Sequence, residues 1–371
     1  MPPDPDLHRK IRWGTVSRDE MTPEIVAEVQ ELYQRSFGSW PQWELPTGVS
    51  PLDHLAWKAS DPHTDLAFFG GRLNGRLVHA ATLRADDLLL QGERARQIRF
   101  VDTSVHPELR GRGVAGAAMA DVQDRHLLPR ALRIGEPQHS SIRAWYSDRN
   151  RPLGNRVWLH ARILDPARCL DAVAAGGRPR IVAMAMLRAA WAWGRLRAAL
   201  APPVRTLHVE RRERFAPEVD DLFTRAASGF DLIHVRDAAY LDWRFCDPRG
   251  GGFSLLAIAD DDGSWQGYAV TCVRRGLGYL ADLLVEPDRI GATDSLVTAA
   301  VADLEKAGAT AVVCWLPKRH PYRPALARRG FVAVRDAGVS YRPEDWSPER
   351  LQFLDAPDVA VHYTIGDTDL V

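Results

Sequence analysis

The residues Arg110-Gly111-Arg112-Gly113, within "VHPELRGRGVAG" at 105–116, combine the features of an anion site. Glycines lack a β-carbon, so the backbone can come close to a ligand. The following run, "GVAGAAMADVQDRHLL", reads as a helix, whose N-terminus offers unpaired N–H groups at the positive end of its dipole. Two guanidiniums add forked donors suited to phosphate oxygens. A phosphate or pyrophosphate is the natural ligand. The P-loop is excluded, because no Lys-Ser/Thr follows the second glycine. Gly111, Gly113 and Gly116 do match G-x-G-x-x-G, but no parallel βαβαβ series follows and a hairpin precedes the strand.

The elements around the turn must position it. "QIRFVDTSV" reads as a strand that ends at Pro107, which has no N–H, so pairing stops or splays there. Before it, "LAFFGGRLNGRLVHAATL" gives two apolar runs about a glycine-containing turn, a hairpin. After the helix, "SSIRAWYS" offers another strand.

This order occurs twice. "HLAWKASDP" at 54–62 and "YLDWRFCDP" at 240–248 share Leu, Trp, a basic residue and Asp-Pro at an offset of 186 (243 − 57). After the second copy come the hairpin "FSLLAIADDDGSWQGYAVTCV", the strand "GYLADLLVEP", the helix "GATDSLVTAAVADLEKAG" and the strand "TAVVCWLP". Two copies of one α/β domain are expected, over 8–165 and 204–345, joined by a basic helical linker at 166–203. The tail, 346–371, reads as a last strand and a polar end. Because Trp57 and Trp243 recur with Lys58 and Arg244 at matching places, packing explains them better than ligand binding.

Composition agrees with a soluble two-domain protein. The chain has 371 residues, 46% of them hydrophobic and 26% charged. Its 48 basic and 48 acidic side chains cancel, so no overall field recruits nucleic acid or a membrane. The four cysteines are far apart with no C-x-x-C, which argues for buried reduced thiols over zinc or disulfides. The N-terminus has no apolar core, so a cytoplasmic protein is expected. "IVAMAMLRAAWAWGRLRAAL" at 181–200 is interrupted by Arg188, Arg195 and Arg197, so it reads as an amphipathic helix and not a membrane span. A linker helix with a solvated basic face is the simpler account; a membrane-surface or partner helix is the other.

Arg110, Gly113 and Ala115, after Val105-x-Pro107, form R-x-x-G-x-A. Together with the element order, this resembles the acyl-CoA loop of the GNAT superfamily of N-acetyltransferases. The implied fold class is α/β: two tandem GNAT-like domains, each a mixed, mostly antiparallel sheet flanked by helices. In that superfamily the pantetheine arm lies where the strand before the loop splays from its neighbour. The resemblance thus places Thr103, Ser104 and Val105 along the arm, and Arg110, Gly111, Arg112, Gly113, Val114 and Ala115 at the pyrophosphate. It implies acetyl-CoA as co-substrate, without a metal, and Asn150 as a further contact to it.

The implied reaction is direct attack of a primary amine on the thioester. Asp102, on the splayed strand, is the first candidate for general base, with ion pairing to a neighbour as the alternative. The family's acid is a tyrosine, but Val157 and Trp158 stand where it is expected; Tyr146 is the substitute. Trp40 and Trp43, which are not repeated, are candidates for lining the acceptor pocket. At the matching turn of the second half, "VEPDRIGATDSL", one glycine is lost and Asp288 and Asp294 bracket the site, so that half is expected to hold CoA poorly. The small-molecule acceptor would be an amino sugar, an amino acid derivative or a metabolite intermediate, and the protein a monomer or homodimer. A non-catalytic acyl-CoA or ligand-binding module and a Fem-like aminoacyl transferase are the rival readings.

Overall fold

A computed structural model describes residues 7–40, 45–63, 66–125, 131–135, 150–174, 179–343 and 346–368. The first half opens with the short helix α1 (Leu7–Lys10), strand β1 (Arg12–Ser17) and helices α2 (Pro23–Phe37) and α3 (Pro51–Ala59). Both longer helices begin as their sequences direct. The hydroxyls of Thr22 and Ser50 accept from the N–H of Ile25 and Asp53, and a proline follows each cap.

Strands β2 (Leu66–Leu73), β3 (Arg76–Leu90) and β4 (Glu93–Val105) form a meander. Asn74-Gly75 and Gln91-Gly92 make its turns, all four residues having positive φ, as two-residue hairpins require. Helix α4 (Val114–Arg125) leads to β5 (Ala131–Gly135), which is parallel to β4. The expected strand at 140–147 lies outside the described residues; among the described residues the partner of β4 on this side is the earlier, shorter β5. Its apolar residues are interrupted by Arg133, which is itself buried.

The second half repeats the plan with β10 (Ser254–Ala259), β11 (Trp265–Arg274), β12 (Leu277–Val285), a helix at Ile290–Lys306 and β13 (Ala311–Pro317). Mixed, mostly antiparallel sheets flanked by helices make up both halves, as expected.

The last strands of the two copies change places. β7 (Val157–Ile163) leaves the first half and lies between β13 and β14 (Val332–Asp336), antiparallel to both. In return β15 (Ser340–Pro343) lies between β5 and β6 (Arg151–Pro152). The sheet orders are therefore β1-β2-β3-β4-β5-β15-β6 and β14-β7-β13-β12-β11-β10-β8, the latter ending at β8 (Glu210–Arg212). A further strand from the second half, β9 (Leu232–His234), pairs with the far end of β3 and with β16 (Val361–His362).

The repeated tryptophans meet at the junction. Trp57 and Trp243 stack with ring centroids 5.1 Å apart, and each indole N–H donates to the other's backbone carbonyl, at 2.8 and 2.9 Å. Next to them, Asp86 on β3 bonds Arg84 at 2.8 Å and Arg99 at 2.6 Å, all three buried. Burial would raise the pKa of Asp86, but the two guanidiniums outweigh it and hold the carboxyl well below its usual range. Asp86→Ala leaves the buried Arg99 without its carboxylate and Arg84 with Asp61 alone, and is expected to cost about 3–5 kcal/mol of stability. Urea denaturation would detect this as a lower midpoint.

Burial lowers the pKa of His79 and His320 to about 3, and of His160 and His234 to about 4. In the unfolded chain these imidazoles take up a proton near 6.5. Their contribution to stability is therefore complete above that pH and is lost as the pH falls through the folded values. Thermal melts are expected to show Tm falling steeply between pH 6.5 and about 4. A Tm that stays level over that window would mean the rings protonate without unfolding.

Candidate functional site

The glycine turn is held from below by an apolar latch. Val105 and Leu109 pack with Val114 and Val78, so the end of β4 and the start of α4 share one small core. Between them Pro107–Leu109 forms a single tight turn, and Gly111 and Gly113 take φ of 73° and 80°. An L residue there would be strained by about 1–2 kcal/mol. The N–H of Ala117 makes the first helical bond, to Gly113 O at 3.0 Å. The N–H groups of Val114, Ala115 and Gly116 are thus the free first-turn donors of α4.

Gly116 differs from its two neighbours, since its φ is ordinary and a β-carbon would meet nothing within 4 Å. Neither backbone geometry nor internal packing requires glycine there. Arg110 is partly a brace: its Nη2 donates to Ser36 O at 2.5 Å and its Nε to Val105 O at 3.4 Å, while Ser36 Oγ also bonds Val105 O. The loop is thereby tied to the end of α2.

Asp102 leaves the ladder. Ala80 pairs with Ser104 and Thr82 with Val101, so the β4 side carries an extra residue, and Asp102 has φ of 53°. Its side chain is 6% exposed and its carboxylate accepts from Lys58 Nζ. Ion pairing was the alternative for Asp102, and its partner is the lysine of the repeated motif. Ser104 is buried with its hydroxyl on Ala80 O at 3.4 Å, whereas Thr103 faces solvent.

β4 and β5 part early, well before Pro107. β4 pairs with β5 only at Arg96–Ala131 and Gln97–Leu132, after which the Gln97 amide reaches Ile134 O at 2.6 Å. From 98 to 105 the β5-facing edge of β4 has no strand partner among the described residues. Asn150 precedes β6 and has a buried side-chain oxygen without a hydrogen-bond partner. Trp40 meets Tyr33 and His54 edge-on, at 5.3 and 6.4 Å, and packs partly buried against the core of α2 and α3. Trp43 and Tyr146 lie outside the described residues.

In the second half the corresponding space is filled by the chain itself. β12 and β13 part after Tyr279–Val313, and beyond that point Gly366 of the tail lies so close that a β-carbon would come 2.8 Å from Ala281 O. Across the start of the helix Ile290–Lys306, Leu207 N–H bonds Ser295 Oγ at 2.9 Å, and a β-carbon on Gly291 would be 3.2 Å from Arg205 O. Asp294, expected to repel a phosphate, is instead buried and paired with Arg328 and Arg329. The tail is buried as far as residue 368: Thr364, Asp367 and Thr368 are enclosed, and Asp367 joins Arg236 and Asp282 in an internal ion network. Asp282 stands three residues before Val285, as Asp102 does before Val105.

No protein-family model and no curated protein matches the chain. Solved structures do match in fold. N-myristoyltransferase of Saccharomyces cerevisiae, solved with bound myristoyl-CoA and inhibitors, superposes with a TM-score of 0.58 at 14% identity, over 92% of this chain and 81% of that one. A probable N-acyltransferase from Enterococcus faecalis gives 0.57 at 13% identity, over 90% and 73%. A GCN5-related N-acetyltransferase from Anabaena variabilis gives 0.57 at 11%, with the same coverage.

Because nothing inside the protein requires a glycine at 116, Gly116→Ala is expected to raise stability by up to about 1 kcal/mol. Gly113→Ala is expected to lower it by a similar amount. Paired thermal melts would separate the two, and equal shifts would refute the distinction.

Proposed function

We propose that the chain is an acyltransferase that moves an acyl group, acetyl in the first instance, from CoA to a primary amine of a small molecule. One observation carries the reading. The glycine turn and splayed edge of the first half are free of the chain's own segments among the described residues, while their counterparts in the second half are covered by 205–207 and 365–367. A glycine at 116 with open space above it is accounted for by a ligand that approaches there.

On this reading the N–H groups at 113–116 and the guanidinium of Arg112 hold the pyrophosphate, and the arm lies along Thr103–Val105. Asn150, with its unpaired oxygen, contacts the same arm. Backbone N–H at the Asp102 bulge faces the developing oxyanion. The amine nitrogen attacks the carbonyl carbon, the C–N bond forms, and the C–S bond breaks with its electron pair on sulfur. Asp102 takes the amine proton, directly or through water, and Lys58 orients that carboxylate. The thiolate takes a proton from Tyr146 or from solvent. Trp40 and Trp43 border the acceptor. Location in the cytoplasm and a monomeric or homodimeric state belong to the same proposal.

The test is calorimetry with acetyl-CoA on the native chain and on Gly116→Trp, with thiol release measured over acyl-CoAs from acetyl to myristoyl and over small amines and peptide N-termini. The expected result is binding abolished by the tryptophan with Tm preserved, and release with acetyl-CoA lowered at least about a hundredfold by Asp102→Asn. Equal binding by both proteins would overturn the loop assignment. Binding without release would leave a ligand-binding module, and release confined to long acyl chains or peptides would overturn the acetyl or small-amine part.

A further inference from the structure

The linker helix, Arg180–Leu200, docks on the second half by a narrow face. Ala183, Leu187 and Gly194 are its buried residues, and Gly194 fits so closely that a β-carbon would come 2.9 Å from Gly330 O. Small residues let the helix approach, but they cover little of it.

What remains outside is apolar. Ile181 is 81% exposed, Leu200 74% and Trp193 52%, with Val182, Met186 and Leu196 at about half. These are six of the ten large hydrophobic side chains exposed among the described residues, so the patch belongs to this helix. At about 100° per residue they fall within an arc of about 140° opposite the docked face. An apolar arc of that width on a helix 21 residues long is more than scattered surface hydrophobics.

Charge fixes the partner. The helix has Arg180, Arg188, Arg195 and Arg197 and no acidic residue, although the whole chain is neutral. On the helical wheel Arg188 and Arg195 border the arc on one side and Arg197 on the other. Trp191 and Trp193 lie under Arg195 and Arg197, with guanidinium-to-ring distances of 5.2 and 5.9 Å. A second copy of the chain would set this face against itself and bring like arginines together with no carboxylate on the helix to neutralise them. An apolar ridge bordered by arginines and carrying a tryptophan matches an acyl boundary beneath anionic headgroups. No described helix is long and apolar enough to cross a membrane, so contact is from one side.

We infer that the linker helix lies in the plane of an anionic lipid surface and holds the protein there. Its docked face stays on the second half while Ile181, Met186, Trp193 and Leu200 enter the acyl boundary. The full chain is tested by flotation with vesicles of phosphatidylcholine alone and with roughly one-third phosphatidylglycerol. The native protein is expected to float with the anionic vesicles only, and less so in high salt. Met186→Asp with Trp193→Asp, and separately Arg188→Gln with Arg195→Gln, are each expected to lower partitioning at least about tenfold. Ile181→Asp, at the most exposed position, serves as the second apolar variant, and thermal melts check that each folds. Absence from anionic vesicles, or equal flotation by native and variant proteins, would overturn the inference. So would a dimer in sedimentation velocity that the aspartates dissolve without any vesicle binding, since the face would then cover a second copy.

Discussion

Each half of this chain gives its last strand to the other, and the rest of the structure follows from that exchange. β7 supplies main-chain partners to both β13 and β14, and β15 does the same for β5 and β6. Without the exchange each sheet would have an open gap within it, with unpaired N–H and C=O groups on both sides. The two sheets therefore form together. Trp57 and Trp243 mark the centre of this arrangement, since equivalent residues of the two copies face each other and make the same bond in both directions. That reciprocity is what a repeated motif produces when its copies are related by an approximate two-fold.

Around the tryptophans the interior is unusually charged. Arg84 and Arg99 share Asp86, Arg84 lies 5.0 Å from the Trp243 ring, and Arg236 is held between Asp282 and Asp367. Buried ion pairs add little net stability over apolar packing, but breaking one is costly. Each network lies within one half and ties that half's own strands, while Arg84 alone of these groups also reaches across, to the Tyr240 hydroxyl and the Trp243 ring. The tail takes part, because Asp367 and Thr364 complete the sphere around Arg236 and Asp282.

A common frame has thus been put to two uses. Both halves have a strand that parts from its parallel neighbour, a residue three places before Val-x-Pro that is aspartate, and a helix that starts just after. In the second half chain segments occupy the gap and the helix start, and the carboxylates are paired inside. In the first half the turn is longer, its glycines at 111 and 113 have positive φ, and no described segment covers the helix donors. Packing of the second half supports the first, whose turn no described segment covers.

The sequence by itself determined the repeat, the hairpins and the site of the turn. Those features depend on local rules: Asn-Gly with positive φ, a proline that stops a strand, glycines before a helix. It also placed the tryptophans in packing, because both copies had them. Residues far apart in the chain had no such signal. Lys58 as the partner of Asp102, the burial of Asp294 and of the tail, and the short strand Ala131–Gly135 were decided by tertiary contacts. Strand exchange is the clearest case. A strand's alternation and length say that it will pair, but hydrogen-bonding groups are the same on every strand, so only the assembled sheets decide with which half it does.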